Sequence, residues 1–195
     1  MKKFTLLSIA LLLSFMPGLY GQKKIKIEIS TEFGRILIKC DAKKAPITTN
    51  NFLRYIKSGL FDSACFYRVV TPYNQPENPV PIKVIQGGRY TDTIGEFGPI
   101  SHEITKETGI VHRRGTISMA RSFPGTATSE FFICLRREKE LDFGGYRNKD
   151  RQGFAAFGKV YSGMRTVKKI YGMASESQYI TPVIKIISFS VNENP

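Results

Sequence analysis

Apolar and polar residues alternate strictly in "KIKIEIS", Lys24 to Ser30, so that Ile25, Ile27 and Ile29 share one face. A period of two is that of a β-strand with one buried side. A turn at "TEFG" and a second run, "RILIKC" (Arg35 to Cys40), complete a β-hairpin. The period then changes. In "APITTNNFLRYIKSGL" (Ala45 to Leu60), Phe52, Leu53, Ile56 and Leu60 recur at helical spacing, Pro46 suits the first helical position and Gly59 supplies a stop. "ACFYRVV" returns to a strand. Under strict alternation Phe66, Arg68 and Val70 share one face, and Tyr67 and Val69 the other.

Four prolines within Thr71 to Lys83 exclude a helix or a central strand there and predict a loop. "VIQGG" (Val84 to Gly88) reads as a short strand, followed by strands around Gly115 to Ala120 and over "SEFFICLRR" (Ser129 to Arg137). "DFGGYRNKDRQG" is a glycine-rich loop and "FAAFGKV" a strand. Ser162 is placed to cap a helix running through Tyr171, with Met164, Val167, Ile170 and Tyr171 along one side. "TPVIKIISFSV" closes the chain as a strand. About eight strands and two widely separated helices do not fit a repeating βαβ pattern, so the sheet is expected to be antiparallel. Closing it into a barrel hides its edges.

Composition agrees with one packed domain: 195 residues, 42% of them hydrophobic, with 14 phenylalanines. The N-terminus reads differently. Lys2 and Lys3 precede an apolar run from Phe4 to Met16, ended by Pro17-Gly18. That run is short for a membrane span and has the form of a secretory signal peptide. The expected division is a signal peptide over 1–21 and a single domain over 22–195, with no stable membrane insertion once the signal is removed. The net charge is +13, but the basic residues are dispersed and no block holds five like charges. This predicts a solvated basic surface and no specific nucleic-acid partner. Cys40, Cys65 and Cys134 are odd in number, widely spaced and set in apolar runs, as buried free thiols are.

The chain lacks GxSxG, a phosphate-loop motif and GxGxxG. His102 and His112 with Glu103 make an incomplete metal set, so the histidines read as surface or loop residues and no metal is expected. What remains is Arg68. Its guanidinium is always charged and carries five donors in a fixed fork. Burial without a partner is costly, so Arg68 either pairs with a carboxylate or faces a partly open site.

Four segments in order, "FYRVV", "VIQGG", "GTISMARS…TSEFFI" and "FAAFGKVYSGM", with "RILIKCDAKKAPITTNNFLRYIKSGLFD" upstream, resemble the cyclophilin family of peptidyl-prolyl cis–trans isomerases. The resemblance covers essentially all of the chain after the signal. It implies a mainly β fold, an eight-stranded closed antiparallel barrel capped by two α-helices. It also implies catalysis of X-Pro bond rotation without a cofactor, on proline-containing polypeptides, by a monomer. Arg68 aligns with the family's catalytic arginine, Gln86 with a glutamine that orients it, Phe132 with the floor of the proline pocket and Leu141 with a wall. Val84, Glu130 and Phe154 border the same groove, and backbone groups of Ala120, Arg121 and Ser122 are implied to pair with the substrate chain.

Departures from the family pattern cluster at the groove's edge. Lys83-Val84 stands where Phe-Met is frequent, Arg121 where asparagine is, Glu130 where glutamine is and Phe154 where histidine is. Glu140 replaces a tryptophan of cyclosporin-sensitive members, which implies weak binding of that drug. The Glu130 carboxylate is within reach of Arg68 on a neighbouring strand, either to orient it or to neutralise it. The expectation is an exported, periplasmic isomerase that assists folding of exported proteins. The alternative is a catalytically weak binding module for proline-containing or anionic segments.

Overall fold

The computed structural model describes residues 24–90 and 97–192, so the expected signal segment over 1–21 lies outside the described residues. The strands are β1 (Lys24–Thr31), β2 (Gly34–Asp41), β3 (Cys65–Val70), β4 (Val84–Gly88), β5 (Thr116–Met119), β6 (Phe131–Cys134), β7 (Ala156–Ser162) and β8 (Tyr179–Asn192). They close into a barrel in the order β1-β2-β7-β5-β6-β4-β3-β8, and every pairing is antiparallel. The alternation in β1 does what its pattern predicts: Ile25, Ile27 and Ile29 enter the core with Ile36, Ile38, Ile117, Phe131 and Ile184.

Two longer helices pack on this barrel, α1 (Pro46–Lys57) on β2 and β7, and α3 (Met164–Tyr171) on β2, β3 and β4. From α1, Phe52 is fully buried with its ring centroid 5.3 Å from Phe61, 5.3 Å from Phe131 and 5.2 Å from Phe157. Ala45 gives α1 no side-chain cap. Its orphan amides are met from a distance: Ile47 N–H and Thr48 N–H donate to the Glu103 carboxylate at 3.1 and 2.8 Å.

Three expectations need correction. Beyond the two helices foreseen there is a third, the single turn α2 (Thr105–Thr108). The sixth strand is shorter than Ser129 to Arg137, because pairing with β4 and β5 ends at Cys134. Ser162 does not cap α3; it ends β7, and Gly163 is the N-cap with φ of 91°. A Cβ at Gly163 would overlap the Arg35 carbonyl, so the chain needs glycine there to turn from strand to helix.

The strict alternation proposed for β3 also fails, at a place that matters. The pairing of β3 with both neighbours skips between Phe66 and Arg68. This bulge lets Phe66 and Val69 both enter the core, whereas Tyr67, Arg68 and Val70 face outward. Arg68 therefore does not share a face with Phe66. The three cysteines are buried and free, and burial raises the pKa of each.

Candidate active site

Outside the barrel wall lies a second, smaller apolar cluster: Val70, Ile82, Val84, Phe132, Cys134 and Leu141, with Ala120 and Phe154 against it. Alternation explains its origin. Phe131 and Ile133 of β6 point into the barrel, so Phe132 and Cys134 point out. A cavity of about 420 Å³ opens over this cluster. It is lined by Arg68, Val84, Gln86, Ala120, Arg121, Ser122, Glu130, Phe132, Leu141 and Phe154, the ten positions singled out in the sequence. Phe154 stands edge-on to Phe132, with centroids 5.4 Å apart.

Arg68 sits half-buried at the cavity's edge. Among the described residues no carboxylate pairs with it; both partners are neutral amides. Nη1 donates to Gln86 Oε1 at 2.8 Å, and Nε donates to Gln178 Oε1 at 2.9 Å, with Nη2 donating to the same oxygen. Three of the five guanidinium N–H groups are thus engaged, and two remain, one on each terminal nitrogen. The full positive charge stays available at the cavity.

Behind Arg68 runs a directional chain of hydrogen bonds. Gln86 Nε2 donates to the Tyr67 hydroxyl at 2.6 Å, and that hydroxyl donates to Glu130 Oε2. Glu130 also accepts from Ser129 Oγ at 3.2 Å, from Tyr90 N–H at 3.2 Å and from Arg89 N–H. Its carboxylate lies against Gly88, whose φ of 150° and missing side chain make room for it. Burial pushes the Glu130 carboxyl pKa up despite these donors, and burial followed by the Glu130 charge pushes the Tyr67 phenol up. Of the two roles considered for Glu130, neutralising Arg68 is not what the geometry shows. It anchors Tyr67, which sets the hydroxyl to accept from Gln86, which in turn aims the amide oxygen at Arg68.

The other edge positions divide. Ala120 N–H is already bonded to Glu130 O and Ser122 N–H to Thr126 Oγ1. The Arg121 side chain makes a bidentate pair with Asp150, both contacts at 2.8 Å, and donates to Gly153 O. It stacks over the Phe154 ring at 5.0 Å, closing one end of the cavity as a structural pair. That pairing holds the Asp150 carboxyl pKa below its usual range.

The model of the "Cyclophilin type peptidyl-prolyl cis-trans isomerase/CLD" family matches residues 25–191. The chain belongs to this family. It is 34% identical over 176 residues to the peptidyl-prolyl cis–trans isomerase of Acinetobacter baylyi, covering 85% of this chain and 84% of that protein. With isomerase A of Dickeya dadantii it shares 32% over 170 residues, 85% of this chain and 81% of that one. In fold it is similar to a cyclophilin of Cryptosporidium parvum at a TM-score of 0.71 and 22% identity, covering 89% of this chain and all of that one. The same parasite protein has been crystallised in the presence of the dipeptide Ala-Pro. The protein is therefore an isomerase on an eight-stranded cyclophilin barrel.

Three residues in or beneath this cavity carried no signal in the sequence. Gln178, in the loop before β8, reaches Arg68 across 110 positions, and its own Nε2 donates to Asn74 O at 2.9 Å. Arg147 lines the cavity from the glycine-rich loop and donates to Gln75 Oε1 and Val80 O at 2.6 and 2.7 Å, tying that loop to the proline-rich one. Burial, then the Arg68 charge, lowers its pKa. His112 was read as a surface or loop residue and is instead fully buried beneath the pocket floor, stacked on Phe132 at 5.9 Å. Its Nδ1–H donates to Asp142 Oδ1 at 2.8 Å and its Nε2 accepts from Ser118 Oγ at 3.0 Å. Burial lowers the ring's pKa and favours the neutral imidazole, the form in which the two nitrogens take these roles.

Proposed function

We propose that the isomerase acts on X-Pro bonds of polypeptide clients by electrostatic stabilisation of the twisted peptide, with Arg68 as the catalytic donor. Rotation about a peptide bond meets a barrier of about 18–20 kcal/mol because conjugation gives C–N partial double-bond character. Twisting removes that conjugation and returns a lone pair to the proline nitrogen. A fixed donor that meets this lone pair only in the twisted state lowers the barrier selectively. The observation that carries the reading is Arg68 itself. It is held by two amide oxygens and, among the described residues, has no carboxylate partner and keeps two N–H groups unengaged beside an apolar cavity floored by Phe132. Val84, Leu141 and Phe154 supply walls of the size and polarity a proline ring requires, and Gln86 fixes the guanidinium plane.

The test is a cis–trans exchange assay on a proline-containing peptide with wild type and Arg68→Ala. The variant is expected to be slower by about 10²–10³-fold, the usual loss when one preorganised donor is removed. Equal rates overturn the mechanism. NMR shifts around the cavity without faster exchange identify a binding module instead.

We further infer that the clients are exported polypeptides, in which slow X-Pro isomerisation limits folding. The basic pair Lys2-Lys3 and the apolar run to Met16 support this reading. Fractionation of expressing cells with N-terminal sequencing of the purified protein checks it: a full-length cytosolic product counts against export.

A further inference from the structure

The arc β1-β2-β7 lies across the barrel ring from β4, away from the Arg68 cavity. Its outer face carries an unfavourable arrangement. Lys26 of β1 is the direct partner of Lys39 of β2, and Lys39 is the direct partner of Lys159 of β7. Like charges set opposite one another on neighbouring strands are destabilising. Among the described residues, none of these three lysines makes an ion pair.

The same face forms one wall of a cavity of about 330 Å³. Lys24, Lys39, Lys44, Arg113 and Lys159 line it against a single carboxylate, Asp41, so four positive charges are uncompensated. The cations come from three strands, the turn before α1 and the segment before β5, so the cluster is assembled by the fold and is not a run in the chain. Lys39 Nζ is held over the Tyr161 ring, 4.7 Å from its centroid, which fixes one cation at the cavity. Ile110 and Val111 give the opposite side an apolar surface.

We propose that this cavity is a second ligand site, for a compact oligophosphate: two or more adjacent phosphate groups, free or carried on a small organic body. Charge density selects the class. In a chain of linked phosphates each group carries a full negative charge, and the second ionisation brings a terminal one to about −1.5 to −2 near neutral pH. Two or three adjacent phosphates therefore match the uncompensated charge within a cavity of this size. Carboxylates supply one charge each, and the same total needs a longer, extended chain. A bound oligophosphate also screens the repulsion between Lys39 and Lys159, so the cost of the facing lysines is offset on binding.

The experiment is calorimetric titration of the isomerase, at low and at physiological salt, with inorganic tripolyphosphate, ATP, octaglutamate and a short thymidine oligonucleotide. Saturable binding of tripolyphosphate or ATP at one site is expected, weakened by about tenfold or more in Lys39→Gln/Lys159→Gln through loss of two charge-assisted contacts. That variant is expected to melt no lower than wild type, because it has lost facing like charges. Lys44→Gln/Arg113→Gln, a pair outside the strands, gives an independent measurement with the same expected direction. Tighter binding of ATP assigns an organic body to the Ile110–Val111 side, and equal affinity assigns inorganic oligophosphate. Three results overturn the site: no saturable binding, unchanged affinity in both double variants, or tighter binding of octaglutamate or the oligonucleotide. A fourth is a fall in isomerase rate with ligand occupancy in wild type and variants alike, which would place the phosphates at Arg68.

Discussion

Phe131 and Phe132 are adjacent in the chain and sit in two different apolar interiors. Phe131 lies inside the barrel among Phe52, Phe61 and Phe66, with ring centroids at 5.3, 6.2 and 5.7 Å and no exposure. Phe132 lies outside the wall, in a smaller cluster, with His112 below it and the cavity above. The first interior is surrounded on all sides and carries stability. The second is open on one side, rests on a polar triad of His112, Asp142 and Ser118, and is bordered by a guanidinium that neutral amides hold. Depth and polar support, not residue type, separate a core from a candidate binding surface here.

Exchanging the two phenylalanines for alanine is the strongest way to break this comparison. Phe131→Ala is expected to cost about 3–5 kcal/mol of stability, as large-to-small changes in a closed core do. Phe132→Ala is expected to cost clearly less in denaturant unfolding, because solvent can fill the space it leaves. It should slow isomerisation by about tenfold or more, which corresponds to about 1.4 kcal/mol or more of transition-state stabilisation. If the two variants lose stability equally, the outer cluster is simply an extension of the core.

The chain from Arg68 through Gln86 and Tyr67 to Glu130 gives the next largest effect. Tyr67→Phe leaves Gln86 Nε2 and Glu130 Oε2 without their shared partner, at a cost of about 1–3 kcal/mol for the desolvated groups. The isomerase rate should fall with it, because Gln86 no longer has a reason to present its oxygen to Arg68. Glu130→Gln keeps an acceptor for the phenol and is expected to retain most of the rate, whereas Glu130→Ala should resemble Tyr67→Phe. Equal activity in all three variants shows that the chain does not orient Arg68. Gln178→Ala removes the acceptor shared by Nε and Nη2 and leaves Gln86 in place, so a smaller loss of rate is expected, with peptide affinity nearly unchanged.

The barrel was legible because its inward faces follow local periods, as in Ile25, Ile27 and Ile29, and the cavity lining because ordered blocks carry it. What was not legible is long-range or is a local exception. The bulge in β3 places two consecutive residues, Tyr67 and Arg68, outside the barrel, and no alternation pattern encodes that. Glu103 caps α1 from 55 positions away and Gln178 clamps Arg68 from 110. Neither lies in a recognisable block. Arg147 stands in a loop of mixed charges where one arginine looks like another until Gln75 and Val80 are found beside it. The burial of His112 was hidden by its neighbours in "IVHRRG", which are polar on one side only because the next turn begins there.

The smallest effect lies beneath the outer cluster and is read by pH. His112 is held neutral, its pKa lowered from 6.5 chiefly by burial and only partly restored by Asp142. An imidazole whose folded pKa is depressed binds fewer protons in the native state than in the unfolded chain at pH values between the two. Stability then falls as pH drops below about 6.5 and continues to fall until the folded pKa is passed. Asp142 acts in a separate, lower window. Burial raises its pKa, but the two hydrogen bonds from His112 and the nearby positive charge of Arg137 more than offset this, so its contribution is present above 3.8 and lost as pH falls through its depressed value. His102, half-buried, is also lowered by burial and adds a weaker slope of the same sign as His112. Thermal unfolding of wild type between pH 7.5 and 5 should therefore show a falling midpoint, with the larger share of the slope removed by His112→Asn and the remainder by His102→Asn. A slope unchanged in His112→Asn would mean that the imidazole takes up its proton without disturbing the Phe132 floor, and that the outer cluster does not depend on a neutral ring.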